Sequence, residues 1–175
     1  MRDKYQRQAW TDFVERGRDA QAAVDALCRP KKIDFTVECE AIPQGSMKAV
    51  CTTKADGSPL AVLGADNPRT HAYRNQVGFA ALHARSMAGV HEIFAAAGVP
   101  VRVCVTFVFQ KPKSAPASRT RPTVKPDLDK LARSTTDALT GVLWADDAQV
   151  VEYSLNKIYG TLEHVQVSVQ LVEEG

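Results

Sequence analysis

Residues 101–109 read VRVCVTFVF, and every second residue of this stretch is apolar. Alternation with a period of two is typical of a β-strand that buries one face. Gly98 and Pro100 precede the stretch and predict the end of a helix whose apolar stripe runs over residues 70–97. This part of the sequence therefore predicts a helix that is followed directly by a half-buried strand.

Three other stretches alternate in the same way and predict three more strands, at residues 33–39, 151–155 and 165–171. Gly160 lies between the last two strands and predicts a hairpin turn there. Helical spacing returns over residues 128–139 and ends before Gly141. Because each strand is polar on one face, the sheet needs a covering layer on the other face only.

These elements predict an α+β fold, with a mixed, mainly antiparallel sheet of four to five strands and the two main helices on one face. Residues 41–69 are rich in glycine and proline and predict a long loop with a short strand at 60–63. Residues 1–30 are interpreted as an N-terminal extension with an extra helix, and residues 31–175 as the main domain.

The composition is that of a globular protein. Of the 175 residues, 45% are hydrophobic and 24% are charged, which excludes a disordered or fibrous chain. The net charge of +2 is too small to indicate a polyanionic partner by itself. We find no signal peptide, no apolar stretch of membrane-spanning length and no C-x-x-C spacing among the four cysteines. We therefore expect a cytoplasmic protein with reduced thiols and no membrane partner.

Five aspartates fall at the boundaries of the predicted elements, namely Asp127, Asp129, Asp137, Asp146 and Asp147. Asp127 and Asp129 stand at a helix start, where two carboxylates can converge. Asp146 or Asp147 would meet them if the following strand packs back beside the helix. Carboxylates brought together repel one another unless a cation lies between them, and oxygen ligands favour Mg²⁺ or Mn²⁺.

A basic segment, defined here as residues 111–125, precedes these aspartates. It contains no acidic residue and five cations, Lys111, Lys113, Arg119, Arg121 and Lys125. Such cations beside a metal site would contact the phosphates of a nucleic acid, while the metal orients a nucleophilic water.

A purely structural interpretation of the same residues stays open at this point. Asp127 would be a helix N-cap, and Asp129 would form an i,i+4 ion pair with Arg133. Asp146 and Asp147 would form a solvated turn, and the basic segment would be a solvated loop.

The spacing of these residues resembles the signature of the RusA family of Holliday junction resolvases, which is common in phages and prophages. That signature runs Asp-x-Asp-Asn-Leu, a Lys, Asp-Ala-Leu and Asp-Asp-x-Gln-Val. The corresponding residues here are Asp127, Asp129, Lys130, Leu131, Arg133, Asp137, Ala138, Leu139, Asp146, Asp147, Gln149 and Val150. A weaker similarity covers residues 43–48 and Arg74, so the resemblance spans residues 33–173.

The resemblance implies a homodimeric, Mg²⁺-dependent endonuclease of a bacterial host cell, with Mn²⁺ as a substitute ion. Such an enzyme binds four-way DNA junctions and nicks two strands symmetrically. The family's metal ligands fall on Asp127, Asp129 and Asp147, and Asp146 would be an assisting ligand or a structural partner. The expected DNA contacts are Lys48, Arg74, Lys113, Arg119, Arg121 and Lys125.

Two positions depart from the family pattern. The family's active-site lysine falls on Arg133, and its asparagine falls on Lys130. Arg133 keeps the positive charge but does not readily release a proton. Lys130 is close enough along the helix to take over part of its role. The alternative hypothesis is therefore a catalytically impaired protein that binds branched DNA, and a third is a nuclease acting on flaps or other branched duplexes.

Overall fold

The computed structural model of the chain describes residues 14–17, 29–45, 47–65 and 68–173, with the backbone alone for 47–52 and 60–65. The chain divides into two compact units, Met1–Lys31 and Lys32–Gly175. Residues 14–17 of the first unit are helical. The rest of the predicted N-terminal helix lies outside the described residues.

The second unit contains six strands and two helices. In chain order they are β1 (Lys32–Val37), β2 (Met47–Thr53), β3 (Pro59–Ala65), α1 (Arg69–Met87), β4 (Val101–Gln110), α2 (Leu128–Leu139), β5 (Val150–Gly160) and β6 (His164–Leu171). Four of the strands form one sheet in the spatial order β1-β6-β4-β5, and β2 pairs with β3. β6 is antiparallel to β1 and β4, whereas β4 is parallel to β5. The predicted α+β class and mixed, mainly antiparallel sheet are confirmed.

The core lies between this sheet and the two helices. The alternating residues Val101, Val103, Val105 and Phe107 of β4 are almost fully buried, and each such side chain stabilises the fold by about 1.5–3 kcal/mol. α1 and α2 pack on one another, and the Tyr73 hydroxyl shares a 2.7 Å hydrogen bond with Thr135 Oγ1 between them. Since β4 and β5 are parallel, the chain must cross over the sheet to connect them, and α2 makes that crossover.

The predicted hairpin between the last two strands is wrong. β4 lies between β5 and β6, so these neighbours in sequence are not neighbours in the sheet. Gly160 is instead required by packing, because a Cβ atom there would lie 2.4 Å from Val108 Cγ1 on the adjacent strand.

Two other boundaries differ from the sequence prediction. The predicted long loop contains a hairpin, in which β2 and β3 pair antiparallel, because the expected short strand extends over Pro59–Ala65. The first main helix ends at Met87, since Gly89 adopts a positive φ of 74°. Phe94 lies beyond the helix but is still buried in the core. Within the described ranges, no helix is long and apolar enough to cross a membrane.

Candidate nuclease site

Two exposed carboxylates, those of Asp127 and Asp129, lie at the start of α2. Asp127 occupies the N-cap position with an extended backbone, yet its side chain accepts no capping hydrogen bond. Its Oδ2 atom lies 3.8 Å from Lys130 Nζ. Asp129 is exposed, and its carboxylate makes no hydrogen bond or ion pair with any described residue, the Arg133 guanidinium included. The helix start therefore presents two carboxylates that the fold does not use for capping.

A cleft of about 450 Å³ opens beside this helix start. Its lining includes Glu40, Pro43, Gln44, Lys125, Asp127, Lys130 and Glu163. The backbone N–H of Gln44 donates a 3.0 Å hydrogen bond to the Lys130 carbonyl, which fixes the wall of the cleft to the first turn of α2. Glu40 is held by an ion pair with Arg69, 2.5 Å between Oε2 and Nη2.

Lys157 positions the segment that leads into the helix. Its Nζ donates hydrogen bonds to the carbonyls of Val124, at 3.0 Å, and Pro126, at 2.8 Å. No motif in the sequence assigns a role to Lys157. In the sequence, Lys157 continues the alternation of Tyr153 and Leu155, so it lies on the same face of the strand as these two residues. A lysine among the apolar residues of a strand face indicates that its ammonium has a hydrogen-bond partner.

Asp147 lies at the opposite end of α2. Its Oδ1 accepts a hydrogen bond from Thr140 Oγ1, at the C-cap, and another from Trp144 Nε1 at 3.3 Å. The twelve residues of α2 span about 18 Å. Asp147 is therefore separated from Asp127 and Asp129 by the length of a helix.

The expected meeting of Asp147 with Asp127 and Asp129 does not occur within a single chain. Among the residues that the structure describes, no group of three or more His, Cys, Asp or Glu side chains is placed to hold a metal ion. The physical reason is the crossover between β4 and β5. The turn that carries Asp147 follows the C-terminal end of α2, and β5 runs back beside the helix only after that turn. Asp147 therefore lies at the end of α2 opposite to Asp127.

The family described as "Endodeoxyribonuclease RusA" matches residues 48–170, which is well over half of the chain. This chain belongs to the RusA family. In addition, a stretch of 63 residues is 35% identical to the uncharacterized protein YqaN of Bacillus subtilis strain 168, covering 36% of this chain and 44% of YqaN. The chain thus matches less than half the length of that relative.

The two departures from the RusA pattern lie on the outer side of α2. The side chain of Arg133 is exposed, and its guanidinium has no hydrogen-bond or ion-pair partner in the described part of the chain. Lys130 is exposed beside Asp127. Both cations are therefore available to a ligand that approaches the start of the helix.

Asp146 has a structural role in this RusA-family chain. It caps the 3₁₀ turn Asp147–Gln149, accepting a 2.8 Å hydrogen bond from the Ala148 amide. Gln149 completes the capping box and donates from its side-chain amide to the carbonyls of Ala96 and Val99. The turn that carries Asp147 is therefore fixed to the loop before β4.

Arg74, an expected DNA contact, is paired with an acidic residue of the same chain. Its guanidinium forms an ion pair with Asp137 of α2, and both side chains are half-buried. Nearby, burial raises the pKa of Tyr153 above its usual value, and contact with Thr136 partly offsets this. The charges of Asp147 and Asp137 raise that pKa further. Tyr153 therefore lies beside the acidic end of α2 as a neutral phenol.

The basic segment is largely solvent-facing. Lys113, Arg121 and Lys125 are exposed and Arg119 is half-buried, and none of the four side chains makes a hydrogen bond or ion pair with a described residue. Lys111 Nζ donates to the Ala117 carbonyl at 3.3 Å. Lys48 lies in β2, where the side chains are outside the described part of the chain.

Proposed function

We propose that this RusA-family protein is a Mg²⁺-dependent, homodimeric endonuclease that resolves four-way DNA junctions by paired hydrolysis of phosphodiesters. The observation that supports this most directly is the pair of carboxylates, Asp127 and Asp129, at the start of α2, neither of which is used to cap the helix. Membership of an endodeoxyribonuclease family supplies the substrate class.

The donor set fits a hard divalent cation. Asp127, Asp129 and Asp147 offer only oxygen atoms, which suit Mg²⁺, with Mn²⁺ as a substitute. When bound, the ion would activate a water for attack on phosphorus and neutralise the charge that develops there. Asp147 already accepts two hydrogen bonds, which orient its carboxylate before any ion binds.

A complete set of three ligands requires a second copy of the chain. Asp147 is a helix length away from Asp127 and Asp129 in its own chain, so the third ligand would come from Asp147 of the other copy. A two-fold axis that sets two α2 helices antiparallel makes two such sites at once. A four-way junction contains pairs of strands that are related by two-fold symmetry, so two active sites related by a two-fold axis could each act on one strand of such a pair.

Cations of the chain would bind the DNA. Arg133 would hold a non-bridging oxygen of the scissile phosphate by its planar guanidinium. Lys113, Arg119, Arg121 and Lys125 would contact backbone phosphates on either side. Arg74 is not part of this set, because Asp137 neutralises it.

A synthetic four-way junction, incubated with and without Mg²⁺, tests the proposal. We expect paired nicks with the wild type and a loss of at least ~100-fold in cleavage rate with Asp129→Asn. Junction affinity should stay within about twofold, measured at the same salt concentration. Asp34→Asn, an exposed aspartate on β1, is the matched control. No Mg²⁺-dependent cleavage by the wild type would refute the enzyme.

Subunit mixing tests the shared site. Asp129→Asn and Asp147→Asn proteins should each be inactive alone. In a mixed dimer, one site receives both substitutions and the other receives none, so mixing should restore nicking of one strand. If each chain formed its own site, the mixture would stay inactive.

A second candidate is a protein that binds branched DNA without cleaving it. Lys130 favours it, because its ammonium lies 3.8 Å from Asp127 Oδ2 and would compete with a cation for that carboxylate. A shifted junction band without product, together with no Mg²⁺ binding by calorimetry, would support this candidate.

A further inference from the structure

We propose that Thr140 and Trp144 are positioning residues of the nuclease site, which hold Oδ1 of Asp147 and leave its Oδ2 atom free to bind the metal. The inference rests on the proposed Mg²⁺-dependent nuclease and names two residues that act through one of its ligands. All three side chains belong to the same chain, so the inference holds whichever chain supplies the other carboxylates of the site.

The three side chains meet just after the C-terminal end of α2. Trp144 Nε1 lies 3.1 Å from Thr140 Oγ1 and 3.3 Å from Asp147 Oδ1, and the Thr140 hydroxyl bonds the same Oδ1 atom. One carboxylate oxygen thus accepts from two donors, whereas no described residue donates to the other oxygen, Oδ2. Because two donors on one oxygen restrict the rotation of the carboxylate, Oδ2 is presented in a defined direction.

The Thr140 hydroxyl has one proton and two acceptors within reach. Its Oγ1 atom lies 3.1 Å from the Thr136 carbonyl of the preceding turn and also contacts Asp147 Oδ1. A hydrogen bond to an ionised carboxylate is roughly twice as strong as one between neutral groups, so the proton points to Asp147. The lone pairs of the same hydroxyl then accept from Trp144 Nε1. The two donors therefore reinforce each other.

The indole that supplies the second donor is fixed in the core. Trp144 is fully buried, and its carbonyl accepts a 2.7 Å hydrogen bond from the backbone N–H of Gly141. The carbonyl of the neighbouring Leu143 accepts a 2.7 Å hydrogen bond from the backbone N–H of Ala95. Asp147 is exposed, so an accessible carboxylate is held by a buried donor. A ligand fixed in this way loses little conformational freedom when it binds a metal.

A purely structural role would be the capping of α2 by Thr140. The hydroxyls of Thr135 and Thr136 also bond to carbonyls four residues earlier, so such a bond is an ordinary feature of this helix. Thr140 differs from both because its hydroxyl also meets a carboxylate. Thr135 is therefore a matched control, since its loss removes a buried hydroxyl of the same helix that does not contact Asp147.

Mg²⁺ affinity measures how well the ligand is positioned. Thr140→Val keeps the shape of the side chain but removes the hydroxyl, and we expect the Kd for Mg²⁺ in calorimetry to rise at least ~10-fold. Thr140→Ser returns the hydroxyl and should bring the Kd back close to the wild-type value. Thr135→Val should lower the urea concentration at the midpoint of unfolding but leave the Kd for Mg²⁺ unchanged.

The Trp144 indole provides a second readout that needs no metal. Its Nε1–H resonance in NMR spectra can be identified by its loss in Trp144→Phe. Asp147→Asn removes the charge of the acceptor and Thr140→Val removes the hydroxyl, so each should shift this resonance in the absence of Mg²⁺. Thr135→Val should leave the resonance in place.

The outcomes separate the positioning role from the nuclease. Three results would each overturn the positioning role: an unchanged Kd in Thr140→Val, an equal rise of the Kd in Thr140→Ser or Thr135→Val, and an indole resonance that does not respond to Asp147→Asn. If the wild type cleaves junctions, the nuclease stands in all three cases. A wild type that binds no Mg²⁺ would refute the nuclease and the positioning role together.

Discussion

Lys157 of β5 donates a hydrogen bond to the carbonyl of Pro126, 31 residues earlier in the chain, over 2.8 Å. Pro126 directly precedes Asp127, so the strand holds the backbone from which one proposed metal ligand projects. The same ammonium also bonds the Val124 carbonyl. The end of the basic segment and the start of α2 are thus fixed to the sheet by a single side chain.

Replacing Lys157 by Met removes both hydrogen bonds while keeping the length of the side chain. We expect the free energy of unfolding in urea to fall by about 1–3 kcal/mol, and Mg²⁺ binding to weaken because Asp127 is less well fixed. Lys113→Met, which removes an equally long cation without a described partner, is the control. Equal effects of the two substitutions would show that Lys157 contributes only its charge.

The exposed cations of the basic segment predict a salt-dependent contribution to DNA binding. Arg121→Gln should reduce the slope of log affinity against log salt concentration by about one, equally for junctions of different sequence. Lys54→Gln, at an exposed position in the β2–β3 turn, should leave the slope unchanged. An unaltered slope for Arg121→Gln would place the DNA path elsewhere on the protein.

The sequence predicted those parts of the fold that depend on local periodicity. The alternation through Val103 and Val105 identified β4, and helical spacing identified α2 with Asp127 at its start. The order of strands could not be predicted, because pairing of β5 with β4 depends on contacts between residues distant in sequence. The separation of Asp147 from Asp127 was missed for the same reason, since it follows from how the chain crosses the sheet between α2 and β5.

Gly160 provides a direct test of the observed strand order. A methyl group there would lie 2.4 Å from Val108 Cγ1, so Gly160→Ala should lower the free energy of unfolding by about 1–3 kcal/mol. The double variant with Val108→Ala should show a smaller loss than the sum of the two single changes. Simple additivity, measured by urea unfolding, would contradict the close packing of β4 on β5 at this position.

Arg133 separates the enzyme from its inactive alternative. Its guanidinium is exposed without a described partner and shares a helix side with Asp129, so we expect it to act through its positive charge on the phosphate. Arg133→Gln should then lower kcat by roughly 100-fold. The kcat of Arg133→Lys should stay within about tenfold of the wild-type value, because lysine keeps the positive charge and loses only the bidentate geometry of the guanidinium. Junction affinity and Mg²⁺ affinity should change little in either variant. If proton transfer were required at this position, Arg133→Lys would instead exceed the wild type, with a new dependence of kcat on pH at the alkaline side.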